Sequence, residues 1–331
     1  MHTVIRVLIA LLVFLCCQNA NADWIRQDSG TLAWLRSVYF VNADRGWIVG
    51  SRGAFLKTTD GGNTWRQEKK FTLDNIRDVY FSNAQDGWLL CERNLYAPGN
   101  DSASYFLKTN DGGISWEKIN ITGSRERIAR MFFADQSKGY AVGEMGGWWK
   151  LSDNQKTWQK IDLPVRNLML AGAFTDDSHG WLVGAGGTIL VTDNKGSNWF
   201  QSTLPDNART KLNCISLVNQ KTAWIAGEAG KIYFTSDNGK MWSAQNSNIN
   251  DDLSDIFFVN EAEGFAVGDN GTILRTMNAG NLWSLEHTNS QHKLEKVFFT
   301  DKKGFAVGFG GTILMLDLAG KHEPTPATSK K

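Results

Sequence analysis

The chain has 331 residues, with 35 Lys and Arg against 34 Asp and Glu, 42% hydrophobic residues, 14 Trp, 18 Phe, 33 Gly and only 5 Pro. A formal charge of +1 offers no general attraction for nucleic acid or anionic lipid, so any charge-driven recognition must come from local placement. The excess of aromatic residues and glycine points to an all-β chain of many short strands joined by tight turns.

Residues 1–22 read as a cleaved signal peptide. His2 and Arg6 precede an apolar run from Val7 to Leu15, and Ala20-Asn21-Ala22 supplies a small-x-small cleavage site. The run is shorter than the ~20 residues of a membrane span, and bulky Phe14 and Leu15 ahead of Cys16 and Cys17 do not suit lipid attachment. The mature chain is therefore expected in the periplasm or secreted, without stable membrane insertion. Its two cysteines, Cys91 and Cys214, fall three repeats apart, so no disulfide is expected.

One pattern then recurs along the chain: Gly46-Trp47-Ile48-Val49-Gly50, Gly87-Trp88-Leu89-Leu90-Cys91, Gly139-Tyr140-Ala141-Val142-Gly143, Gly180-Trp181-Leu182-Val183-Gly184, Ala223-Trp224-Ile225-Ala226-Gly227, Gly264-Phe265-Ala266-Val267-Gly268 and Gly304-Phe305-Ala306-Val307-Gly308. The copies start 40 to 43 residues apart, except for a step of 52 after Gly87. An apolar strand such as Val38-Tyr39-Phe40 precedes each copy. A third strand such as Thr272-Ile273-Leu274 follows it, across a Gly-bounded hairpin. A fourth element opens with a turn best seen in Thr58-Thr59-Asp60-Gly61-Gly62-Asn63-Thr64-Trp65. This turn resembles the Asp-box of neuraminidase-type repeats, in which a carboxylate accepts backbone N–H groups and a Trp anchors the turn. The structural residues expected from it are Asp60, Trp65, Asp111, Trp116, Asp153, Trp158, Asp193, Trp199, Asp237, Trp242 and Trp283.

Four short strands per repeat make one propeller blade, and neighbouring blades bury each other's faces. The expectation is a seven-bladed β-propeller over residues 23–319. The last repeat ends without an Asp-box Trp, while Asp23-Trp24-Ile25-Arg26-Gln27 matches the missing piece. The N-terminal strand around Trp24 is thus expected to join the last blade and close the ring, leaving no free edge. Residues 320–331 are polar and read as a disordered tail.

Of thirteen arginines after Ala22, eleven lie between Arg26 and Arg166. Arg52 and Arg93 fall in hairpins between second and third strands, Arg125, Arg127 and Arg166 in connectors between repeats, and Arg36, Arg77 and Arg130 at the starts of first strands. All map to one end of a propeller, where a basic patch is expected, partly neutralised by Asp78, Glu92 and Glu126. Arginine suits such a role because its planar fork grips carboxylates in pairs. The insertion Glu92–Ser104 adds Tyr96 as a contact candidate on the same end.

The repeat strands, glycine hairpins and Asp-box turns resemble those of the photosystem II stability/assembly factor family, across nearly all of 23–319. The resemblance implies a seven-bladed propeller with no chemistry of its own. It further implies a partner that is a newly made membrane protein, bound through an arginine-rich patch. Arg36, Arg77, Arg125, Arg127 and Arg130 are the matching candidates. The simple leader, without twin arginines, suggests a bacterial relative outside photosynthesis, acting as a monomeric periplasmic scaffold for an envelope protein complex. No catalytic residue, cofactor or metal is expected. His179, His287, His292 and His322 lack ligand spacing. Two alternatives remain: a sialidase-like glycoside hydrolase, or a propeller that takes a small polar ligand in its axial funnel. The first needs a Tyr nucleophile, yet Tyr39 and Tyr80 share their repeat position with Phe132, Phe257 and Phe298, which favours packing.

Overall fold

The computed structural model describes residues 23–93, 103–122, 126–176 and 178–318; the expected leader (1–22) and tail (320–331), with Arg125 and Tyr96, lie outside them. Within the described residues the chain forms 28 strands and short 3-10 turns, with no α-helix. Hydrogen bonding collects the strands into five four-stranded sheets and one eight-stranded sheet. The overall architecture is thus all-β and of propeller type.

A typical sheet runs Leu35–Phe40, Gly46–Gly50, Phe55–Thr58 and Arg66–Gln67 in antiparallel order. The second strand is wholly buried. Its terminal glycines are dictated by contact: a Cβ on Gly46 would lie 2.6 Å from the Phe40 ring, and one on Gly50 would lie 2.4 Å from the Trp34 carbonyl oxygen. The sheet containing Leu294–Phe299 takes its fourth strand from the other end of the chain. Ile25–Gln27 pairs antiparallel with Thr312–Asp317, with Ile25 opposite Met315 and Gln27 opposite Ile313.

The eight-stranded sheet departs from the expected separation of repeats two and three. Their fourth strands, Glu117–Thr122 and Thr157–Asp162, pair in parallel with Thr157 opposite Asn120. Each is six residues long, against two in Arg66–Gln67 and three in Phe200–Ser202. The extra length brings two otherwise open edges together, and each satisfies the other's backbone groups.

Between repeats the contacts are aromatic. Trp47 stacks on Phe81 at 3.7 Å between ring centroids, Trp158 on Phe106 at 4.0 Å and Trp224 on Phe258 at 3.5 Å. Trp148 and Trp149 are both fully buried. Trp24 is 3% exposed and meets Phe265 and Phe299 edge-on at 6.1 and 6.2 Å. Trp65 likewise meets Phe305 of the last sheet at 6.0 Å. Lys303 of that sheet donates to the Gly61 carbonyl at 3.1 Å and to Asn63 Oδ1 at 2.6 Å in the first Asp-box turn. The first strands of successive repeats touch in order, and Leu294–Phe299 touches Leu35–Phe40. Cys91 and Cys214 are free and buried, and burial pushes both thiols up.

Removing the Trp24 ring takes away the apolar link between the N-terminal strand and the neighbouring sheet. Trp24→Ala is expected to cost about 3–5 kcal/mol, measured by urea unfolding. A change under about 1 kcal/mol would show that the seam is not held there.

Candidate functional site

The two ends of the sheets carry different chemistry. At one end the Asp-box turns bond to the turns between first and second strands, as in Gly61 N–H to the Asp44 carbonyl and Gly112 N–H to the Gln85 carbonyl, both 2.9 Å. In the first copy the Thr58 hydroxyl bonds Asp60 at 2.7 Å and accepts the Gly62 N–H at 2.9 Å. Asp60 also accepts the Thr64 N–H at 3.0 Å and hydroxyl at 2.6 Å. Those Thr64 bonds hold the Asp60 carboxyl at about 2. Asp111 is lowered by Ser115 in the same way, and Asp237 by the Met241 N–H.

Two expected members of this set are corrected. In the third and fourth copies the acceptor is Asn154, bonded to Ser152 at 2.7 Å, and Asn194, bonded to Thr192 at 3.0 Å, not Asp153 or Asp193. The acceptor must stand two residues past the Ser or Thr that ends or directly follows the third strand. Asp153 and Asp193 stand one residue past it and are exposed. In the sixth copy Asn278 takes the place, bonded to Thr276 at 3.0 Å. The Trp side chains pack inward: Trp116 edge-on to Phe55 at 5.7 Å, Trp199 to Trp148 at 5.3 Å and Trp283 to Phe258 at 5.8 Å. Trp242 is buried, with its indole N–H on the Ser202 hydroxyl at 3.1 Å.

The opposite end gathers the arginines, through a backbone device. In all seven first strands the ladder slips near the start, at the second residue in six and at the third in Asn75–Phe81: Leu35 faces Gly50 but Ser37 faces Val49, and Ile76 faces Cys91 but Asp78 faces Leu90. A bulge leaves its extra residue unpaired and re-aims the side chain. The bulged residues include Arg36, Arg77 and Glu295. Arg36 pairs with Glu295 at 3.2 Å and lies over the Trp34 ring at 3.7 Å. Arg77 pairs with Glu92 at 2.7 Å, and Arg127 pairs with the other oxygen of the same carboxylate. Burial pulls Arg36 below the usual guanidinium range, opposed by Glu295 and Glu92 and reinforced by Arg77 and Arg127. These groups therefore share one field: three guanidiniums around two carboxylates.

Arg130 lies one step deeper. It pairs with Asp78 at 3.2 Å, and Asp78 also accepts the Met131 N–H at 2.9 Å. Burial opposes its charge, but Asp78 and Asp255 outweigh burial and raise its pKa. Lys296 and Asp255 repeat the arrangement at 3.1 Å. Arg52 and Arg166 are exposed in a hairpin and a connector, and Arg93 lies over the Tyr105 ring at 5.5 Å. Glu295 joins the arginine cluster and Trp34 and Phe309 border it, none of them anticipated from the sequence. A signal existed for the last, since Phe309 opens a turn where other repeats place Ser51, Glu144, Ala185, Glu228 or Asp269.

Tyr39 and Tyr80 sit at 5.1 Å from each other, and Tyr39 at 5.5 Å from Phe298. Burial raises both phenols, Tyr80 to about 12, so neither is poised to act as a nucleophile. Tyr39 also lies three residues along the strand from Arg36, roughly 10 Å at the usual strand rise. The arginine cluster and the tyrosines do not form a sialidase-type centre.

A sequence profile of the family described as photosynthesis system II assembly factor YCF48 matches residues 17–124, 150–246 and 240–323. The photosystem II assembly lipoprotein Ycf48 of Synechococcus sp. (strain CC9902) is 38% identical over 88 residues, 26% of either chain. The aligned segment thus spans about a quarter of that relative's length. A solved structure of YCF48 bound to D1 peptide superposes with a TM-score of 0.74 at 20% identity, covering 90% of this chain and 96% of that one. A virginiamycin B lyase from Staphylococcus aureus superposes with the same TM-score of 0.74 at 11% identity, covering 89% and 100%. Shape alone therefore carries the fold and not the activity. The expected branch outside photosynthesis finds no support in these matches, since the curated relative is named for photosystem II.

Each Asp-box carboxylate held low by hydrogen bonds is ionised above its unfolded value of about 3.9. Its contribution to stability is present above that pH and lost as the pH falls towards about 2, the folded value of Asp60. The melting temperature is expected to be level above about pH 5 and to fall between about pH 4 and 2. Asp60→Asn, which copies Asn194 and Asn278, should keep the fold with a shallower acid slope. Asp60→Ala should lower the melting temperature by a few degrees even at neutral pH. Indistinguishable acid slopes for wild type and Asp60→Asn would remove Asp60 from the acid response.

Proposed function

The chain belongs to the photosynthesis system II assembly factor YCF48 family, and from that premise we propose that it is a non-catalytic docking protein. It holds a segment of a membrane or envelope protein against its arginine-rich end while a larger complex is assembled. The 28 strands are read as seven four-stranded blades, closed into a ring by Ile25–Gln27 beside the last repeat. The cyclic succession of first-strand contacts supports this reading. Residues 1–22 are assigned as a cleaved leader, 23–319 as the propeller and 320–331 as a tail. The working compartment is then outside the cytoplasm, in the periplasm or beyond, and the protein is a monomer.

The observation that carries the docking role is the cluster of Arg36, Arg77 and Arg127 around Glu92 and Glu295. Three cations share two anions, and all three guanidiniums keep part of their surface in water. An incoming carboxylate meets forks already ordered by ion pairs, so little side-chain freedom is lost on binding. The solved relative holds a D1 peptide, and family membership makes a photosystem II subunit the first partner to test. Arg52, Arg93, Arg130 and Arg166 are kept as further candidates, together with Arg125 and Tyr96, which lie outside the described residues.

The paired variant Arg77→Gln/Arg127→Gln tests this reading. Binding of a labelled D1 peptide, followed by fluorescence anisotropy, should weaken at least tenfold, the scale expected for losing charge-assisted bonds. Wild-type binding should also weaken as salt is raised. Equal affinity of variant and wild type would remove the cluster from the docking site.

A further inference from the structure

The arginine cluster does not stand alone at its end of the molecule. Beside Arg36 is an apolar corner. Trp34 and Phe309 meet edge to face at 5.4 Å between ring centroids, and the His292 ring meets Phe309 at 5.7 Å. Phe309 is 49% exposed and Leu32 is 88% exposed. An open groove of about 630 Å³ continues past Leu32, between Gly310–Gly311 and the segment Arg26–Thr31.

The turn itself does not call for an aromatic residue. The same three-residue turn forms with Ser51, Glu144, Ala185, Glu228 and Asp269 in the position of Phe309. Large apolar side chains in water are unfavourable in proportion to the area left wet. A contiguous group of them at a charged rim marks a contact surface. The neighbouring charge says what kind. Arg36 lies against Trp34 and shares its field with Arg77, Arg127, Glu92 and Glu295, a cluster with one more cation than anion. Because Arg36 lies over Trp34 and Trp34 meets Phe309, a carboxylate held by Arg36 would stand beside this aromatic pair.

We propose that Leu32, Trp34 and Phe309 form a side-chain subsite for the docked protein segment, which takes a large apolar residue, aromatic or aliphatic, adjacent to one of the segment's carboxylates. This rests on the docking role proposed above and adds a second recognition element to it. Specificity then comes from the pair: the arginines select charge, and the corner selects the residue beside it.

The test uses the mature chain and three fluorescein-labelled octapeptides that differ only at a central Phe-Asp, Ala-Asp or Phe-Asn. Wild type should bind Phe-Asp about tenfold more tightly than Ala-Asp, the scale of burying one aromatic side chain. Phe309→Ser, which installs the residue already present at Ser51, should erase that preference and leave Ala-Asp affinity unchanged. Phe309→Leu should keep most of it. The subsite is overturned if Phe-Asp does not bind, if wild type shows no preference, or if the preference survives in Phe309→Ser. A dimer in sedimentation that Phe309→Ser abolishes overturns it as well, because the corner would then be a self-contact. Loss of all binding in Arg77→Gln/Arg127→Gln, with an unaltered preference in Phe309→Ser, would sink the subsite and leave the docking role standing. Equal affinity for Phe-Asp and Phe-Asn, unaffected by the arginine variant, would sink both.

Discussion

A four-stranded sheet with two apolar faces cannot stand in water, and the covering of each face by the next sheet organises this molecule. The second strands are buried from end to end, so they have no solvent side. Their aromatic residues therefore stack on the neighbouring sheet, as Trp47 does on Phe81 and Trp224 on Phe258. A row of sheets packed this way has two uncovered ends. Here Trp24, beside the last repeat, meets Phe265 of the repeat before it, and Trp65 of the first repeat meets Phe305 of the last, so the two ends of the chain are drawn together by the same force that packs its middle.

The charged cluster is placed by an irregularity superimposed on that regular packing. The bulge near the start of every first strand turns one side chain per repeat out of the ladder. In most repeats this residue is small or uncharged, such as Ala129, Asn213 or Ser254. In three it is Arg36, Arg77 and Glu295, so the device yields charge on one side of the molecule only. Glu92 and Arg127 reach the same place from the end of the strand Gly87–Glu92 and from a connector. The cluster is thus assembled from residues far apart in sequence but equivalent, or nearly so, in the repeat. Their mutual ion pairs keep charged groups at a crowded mouth without leaving them uncompensated.

At the other end the Asp-box turns serve the fold. Their carboxylates spend their lone pairs on the Ser or Thr hydroxyls and N–H groups of their own turn. Asn can replace Asp there because the turn requires an acceptor oxygen and not a charge. That is why Asn154, Asn194 and Asn278 serve in three copies. It is also why a reading that looked for Asp alone chose Asp153 and Asp193, one residue early.

The sequence by itself determined the repeat, the four strands in each unit, the pairing of the N-terminal segment with the last repeat, and which end holds the arginines. All of these follow from periodic side-chain pattern and turn chemistry, which are local and written in residue order. Tertiary structure alone decided which arginines share a carboxylate, that the fourth strands of repeats two and three join edge to edge, and that Phe309 meets Trp34. Each of these depends on distances between residues separated by a strand, a repeat or nearly the whole chain. Such distances are set by how the sheets twist and pack together, and no run of residues encodes them.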